Sequence, residues 1–81
     1  MYLQTLMKDL VEIIAKSLVD NPDEVRVNEV QGEQDLILEL RVAPEDMGKV
    51  IGKQGRIAKA IRTVMKAVAT RENVKVVVEI V

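Results

Sequence analysis

The sequence predicts an α+β fold, a three-stranded sheet packed against three helices in the order helix, strand, strand, helix, helix, strand. Three observations carry that reading. Apolar residues recur every three to four positions over residues 3–18. A period of two follows over 36–42, with Leu36, Leu38, Leu40 and Val42 on one side. After a pair of glycines at 52 and 55 the helical period returns, and a β-branched run closes the chain.

In the first helix, Leu3, Leu6, Met7, Leu10, Ile13, Ile14 and Leu18 form one apolar stripe. Asp20-Asn21-Pro22-Asp23 ends it, because proline disfavours helical geometry in the residue before it. Val25-Arg26-Val27 opens an alternating strand, and Gly32 marks a turn. Leu36, Leu38, Leu40 and Val42, alternating with Ile37, Glu39 and Arg41, make a half-buried strand. The two strands are near enough in sequence for an antiparallel hairpin with a loop of four or five residues. A short helix runs from Pro44 to Ile51, with Glu45 and Asp46 near its positive end. Gly52-Lys53-Gln54-Gly55 interrupts it. In the longer helix that follows, Ile57, Ala60, Ile61, Val64, Met65 and Val68 share one face, opposite Arg56, Lys59, Arg62 and Lys66. Residues 74–81 make the last strand.

Composition excludes several chemistries. The 81 residues hold no cysteine, histidine, tryptophan or phenylalanine, and a single tyrosine, Tyr2. Disulfides, a thiolate nucleophile and cysteine-ligated zinc are therefore absent, as is the usual near-neutral acid/base group. No catalytic constellation and no metal or cofactor site is expected. No apolar run nears the ~20 residues that span a bilayer, and the N-terminus lacks a signal-peptide pattern. A cytoplasmic protein with no membrane partner is expected. A chain of this size buries only about 60–65% of its unfolded surface, so its stability margin is thin.

The net charge of −1 hides an asymmetry. Residues 1–48 carry four basic and eleven acidic side chains. Residues 49–71 carry Lys49, Lys53, Arg56, Lys59, Arg62, Lys66 and Arg71 and no acid. Such a segment attracts polyanions, in competition with salt. On an average helix it would be no more than a solvated face; seven cations in 23 residues without a counter-charge favour a binding role.

The glycine turn is the feature that carries chemistry. Glycine permits backbone angles closed to other residues and lets another backbone come close. The turn leads into the N-terminus of the Arg56 helix, where free N–H groups favour a phosphate. Lys53 adds a point charge, and Gln54 can donate hydrogen bonds. Alone, two glycines three apart commonly mean only a C-cap and a tight turn. A P-loop reading fails: three residues, not four, separate Gly48 from Gly52, and Gln54 stands where a hydroxyl residue would hold magnesium.

In context the stretch from Val50 to Arg62, VIGKQGRIAKAIR, resembles the signature of the KH domain: a valine/isoleucine pair, Gly-x-x-Gly enclosing a basic residue, then aliphatics at helical spacing. The order of elements resembles the bacterial type II KH arrangement. Length and end-to-end pattern resemble the small single-KH RNA-binding proteins of bacteria, the KhpA (YlqC) family. The resemblance covers essentially the whole chain. It implies one KH domain over residues 1–81, its core about 34–81, with an N-terminal helix and strand over 2–31.

The resemblance further implies non-enzymatic binding of single-stranded RNA, the Gly-x-x-Gly loop clamping about four nucleotides. Gly52, Lys53, Gln54 and Gly55 would hold the phosphates. Lys49, Arg56, Lys59 and Arg62 would form an electrostatic rim, with Lys66 and Arg71 solvated further along. Val50, Ile51 and Ile57 would line the aliphatic groove or support it, plain core packing being the alternative. Modules that stack bases on exposed aromatic rings do not fit a chain whose one ring is Tyr2. Poor stacking implies modest affinity, low sequence specificity and a gain from doubling the contacts.

As partners the resemblance implies a second copy in a homodimer, or a larger KH-containing protein of the Jag/KhpB type, in RNA regulation tied to cell elongation and division. The rival reading is a protein assembly module with little direct RNA binding. Ile37, Val77 and Val81 support it, being expected on the sheet face away from the helices. A helix-turn-helix binding duplex DNA is weaker, since the two-residue link is shorter than its usual turn.

Overall fold

A computed structural model describes residues 2–81, with side chains from Thr5 onward. Helix α1 spans Tyr2–Leu18, strands β1 and β2 span Arg26–Gln31 and Leu36–Arg41, helices α2 and α3 span Met47–Ile51 and Arg56–Arg71, and strand β3 spans Val76–Ile80. This is the predicted order. The sheet is ordered β1-β2-β3, with β1 antiparallel and β3 parallel to the central β2.

The hairpin is local. The Gly32 N–H donates to the Asp35 carbonyl at 2.8 Å, closing a four-residue loop. Leu36, Leu38 and Leu40 all face the helices and are buried, as the alternation requires. They meet Val27 of β1, Val78 of β3, Met7, Val11 and Ala15 of α1, Val50 of α2, and Ile61, Met65 and Ala69 of α3 in one core.

Both long helices are rotated from the expected faces. In α1 the innermost residues are Met7, Val11 and Ala15, flanked by half-buried Leu10 and Ile14. Leu6 and Ile13 are more than 60% exposed, and Leu18 also reaches solvent. Leu3 lies outside the residues whose side chains are described. In α3, Ala58, Ile61, Met65 and Ala69 are buried, while Ala60 and Val64 are exposed. Small side chains let a helix come close to the sheet, so alanines take central positions that size-weighted hydrophobicity gives to leucine and valine.

The segment expected as one helix from Pro44 to Ile51 is a 3₁₀ turn, Pro44–Asp46, continued by the single turn of α2. The last strand begins at Val76 because Val74 still belongs to the helix cap. The Val74 N–H donates to Ala69 O at 2.9 Å and the Asn73 N–H to Thr70 O at 3.2 Å, with Asn73 at φ 57°. That is a Schellman cap with asparagine in the left-handed position.

The face of the sheet away from the helices is open. Val30, Ile37 and Val77 stand in register across it, and Val81 is exposed beyond them. No helix among the described residues is long and apolar enough to cross a membrane.

Candidate nucleic-acid interface

The glycine turn is built from backbone outward. Helix α2 ends where the Gly52 N–H donates to the Gly48 carbonyl at 2.8 Å. Gly52 then adopts φ 76°, ψ 172°, a conformation open essentially to glycine alone. Gly55 N–H donates to Gly52 O at 3.1 Å, and Arg56 N–H to Lys53 O, so residues 53–55 make one 3₁₀ turn. Gln54 (φ 58°) and Gly55 (φ 73°) are both left-handed, and Lys53 and Gln54 stand exposed at the tip. A left-handed glutamine is strained, and strain of this kind gathers at functional sites.

The turn takes up the first N–H of α3, that of Arg56, and leaves those after it without a side-chain cap. No acid lies in the first turn of α3. Its leading N–H groups have no partner within the helix and carry the positive end of the dipole. Lys53, Arg56, Lys59 and Lys66 are exposed, and among the described residues none is in an ion pair. Lys59, Arg62 and Lys66, three and four apart, lie along one flank of α3. From there the Arg62 Nε donates to the Val78 carbonyl of β3 at 3.2 Å. The edge of β3 not paired with β2 therefore faces this flank. Between them runs an open trench of about 470 Å³, lined in part by Arg62, Lys66, Ala69, Lys75, Val76 and Val78.

Lys49 is placed differently. Its ammonium lies 3.2 Å from Asp20 Oδ2 and 3.9 Å from Asp46 Oδ1. Asp46 is the one charged side chain among the buried described residues. It accepts the Asp20 N–H at 3.2 Å and the Asn21 N–H and Asn21 Nδ2 each at 3.0 Å, pinning the α1–β1 connection to the start of α2. Burial pushes its pKa up. The Asn21 amide, the two backbone N–H groups and Lys49 outweigh that and hold the carboxyl below the usual aspartate value. The sequence suggests only a helix-start acid here.

The structure thus places Gly52, Lys53, Gln54 and Gly55 in the turn and Arg56, Lys59 and Arg62 along the helix that leaves it, none of them buried. Ile51 and Ile57 are half-buried, packed against the core. Val50 is fully buried, so it supports the site and cannot line it. Lys49 enters the rim already paired, and Arg62 is anchored to the sheet. Lys66 lines the trench; Arg71, at the far end of α3, is exposed. Sequence reasoning set Gly48 aside with the P-loop. It sits exposed in α2, and a Cβ there would meet nothing within 4 Å. The fold has no packing need for that glycine, although a helical glycine costs about 1 kcal/mol relative to alanine. Among the described residues no acidic cluster is arranged to hold a metal ion.

A three-stranded mixed sheet under three helices, with Gly-Lys-Gln-Gly joining the second helix to the third, defines a KH domain. The family model described as "KhpA/KhpB, KH domain" matches residues 8–80, and the chain belongs to this family, which is non-enzymatic. Among curated proteins, "RNA-binding protein KhpA" of Clostridium perfringens is 77% identical over 75 residues, covering 93% of this chain and all of its own. The protein of the same name from Clostridium acetobutylicum matches at the same identity and coverage. That of Aquifex aeolicus is 55% identical over 74 residues, 91% of this chain and 94% of its own. No solved structure matches the chain significantly.

Proposed function

We propose that this protein binds single-stranded RNA without strong sequence preference. In this reading Gly52–Gly55 and the start of α3, which no side chain caps, hold the sugar-phosphate backbone, Lys53, Arg56, Lys59 and Arg62 hold it electrostatically, and the bases lie toward the α3–β3 trench. One observation carries it: a left-handed turn opens onto an uncapped helix N-terminus flanked by cations that no acid neutralises. The names of the relatives support RNA as the polyanion. Exposed Gly48 adds bare backbone one turn ahead, where a ligand can come close.

The test replaces Lys53 and Gln54 together by Asp, at exposed positions the core does not use. Binding to a fluorescein-labelled dodecauridylate, read by anisotropy, is expected to fall at least tenfold, with thermal unfolding unchanged. In the parent, log K should fall with log salt by about 0.7 per phosphate contacted. Undiminished binding by a folded variant overturns the assignment.

A second reading, assembly with another KH protein or a second copy, rests on the uncovered Val30–Ile37–Val77 row. Cytoplasmic location and a role in RNA regulation of cell elongation and division belong to the same proposal, on the resemblance alone. Sedimentation at high micromolar concentration tests self-association, and a monomer there refutes the homodimer.

A further inference from the structure

Among the described residues, Lys49 is the one cation of the 49–71 segment held in an ion pair, and its two carboxylates are not alike. Asp46 is buried and committed: three N–H donors already occupy it, and Lys49 stands at 3.9 Å. The Asp20 side chain is 76% exposed and closer, at 3.2 Å. No other described side-chain contact holds its carboxylate; what fixes residue 20 is its backbone N–H, bonded to Asp46. The Lys49 side chain is itself 43% exposed. Its Cα is three residues ahead of Gly52, about 4.5 Å along the helix axis, and its ammonium is turned toward Asp46 at the start of α2.

We propose that Asp20 is an intramolecular competitor for the nucleic-acid phosphate at Lys49. This rests on the reading that phosphates lie along Gly52–Gly55. In the free protein the Asp20 carboxylate occupies the ammonium. An incoming phosphate displaces it, while buried Asp46 stays beside the ammonium at 3.9 Å. The exchange is one anion for another on the same ammonium, with no covalent change. An exposed lysine–aspartate pair is weak enough for a phosphate to break. Asp20 therefore lowers affinity, and it makes the Lys49 contact less sensitive to salt, because the displaced counter-ion belongs to the protein.

The experiment is a double-mutant cycle on the full chain, with labelled dodecauridylate as the probe and anisotropy read at several salt concentrations. Asp20→Asn keeps the backbone N–H and removes only the charge. It is expected to tighten binding about 2–5-fold at low salt, the range an exposed ion pair allows. It should also steepen the salt slope by up to about 0.7, one phosphate contact. In the Lys49→Gln background the same change should have less than half that effect. Equal tightening with and without Lys49 would show only a general loss of negative charge and overturn the inference. So would unchanged binding, or a clearly lowered melting temperature for Asp20→Asn, which would make the pair a structural clasp. The variant carrying Lys53→Asp and Gln54→Asp separates the two levels. If it binds like the parent, the reading of the loop fails and the inference with it. If it loses binding while the cycle shows no coupling, the inference alone fails.

Discussion

A β-carbon on Gly52 would stand 2.6 Å from Cγ1 of Ile57. No real Cβ sits that close, and no rotamer of Ile57 relieves it, because the Ile57 Cβ, fixed by the backbone, would also stand at 2.9 Å. Gly55, by contrast, would meet nothing within 4 Å. The two glycines of the motif are thus required for different reasons, one by contact and backbone, the other by its left-handed backbone alone.

Gly52→Ala is therefore expected to cost about 2–5 kcal/mol, backbone strain and overpacking together. Gly55→Ala should cost about 1–2 kcal/mol. Urea unfolding of the two variants checks the difference. Equal losses would show that Ile57 does not constrain the turn.

Gly48→Ala should behave in the opposite sense. The position is helical, exposed and roomy, so the fold should gain about 0.5–1 kcal/mol. RNA binding should weaken if a ligand backbone comes close there. Chemical denaturation and anisotropy on the same preparation read the two effects. A stabilised variant with unchanged binding removes Gly48 from the interface.

Asp46 ties folding to acid. Its folded pKa is lowered, so its stabilising contribution is complete above the unfolded value of about 3.9 and is lost as pH falls through the folded value. Asp46→Asn places an amide against three N–H donors and should be destabilised at pH 7. The gap between parent and variant should narrow below about pH 4. Thermal melts from pH 7 to pH 2 measure it. A gap independent of pH would show that the carboxylate charge is not what holds the connection.

These residues also show what a sequence displays and what it hides. The period-two spacing of Leu36, Leu38 and Leu40 sets the orientation of β2, and Gly-Lys-Gln-Gly sets the turn, because both signals are local. The rotation of α1 and α3 is not local. Val11, Ala15 and Ala69 join the core with the leucines of β2, while Leu6, Ile13 and Val64 do not, and the packing of helix on sheet that decides this is not contained in a helical wheel. Asp46 reads as a helix-start acid, since its partners at Asp20 and Asn21 lie 26 and 25 residues away. The pairing of Lys49 is hidden in the same way, and nothing in the fold requires a glycine at 48.

The parallel pairing of β2 with β3 has a kinetic side. The β1–β2 hairpin closes over four residues, 32–35, whereas β3 can join β2 only after residues 42–75 have been gathered in. Closing long segments is entropically costly and slow relative to closing short ones. The glycine turn lies inside that long crossover, and Arg62 meets its carbonyl only when Val78 has docked. The hairpin is thus expected to form early and the surface proposed to face RNA late. A chain caught between the two would hold ordered strands while the proposed binding surface is still unmade.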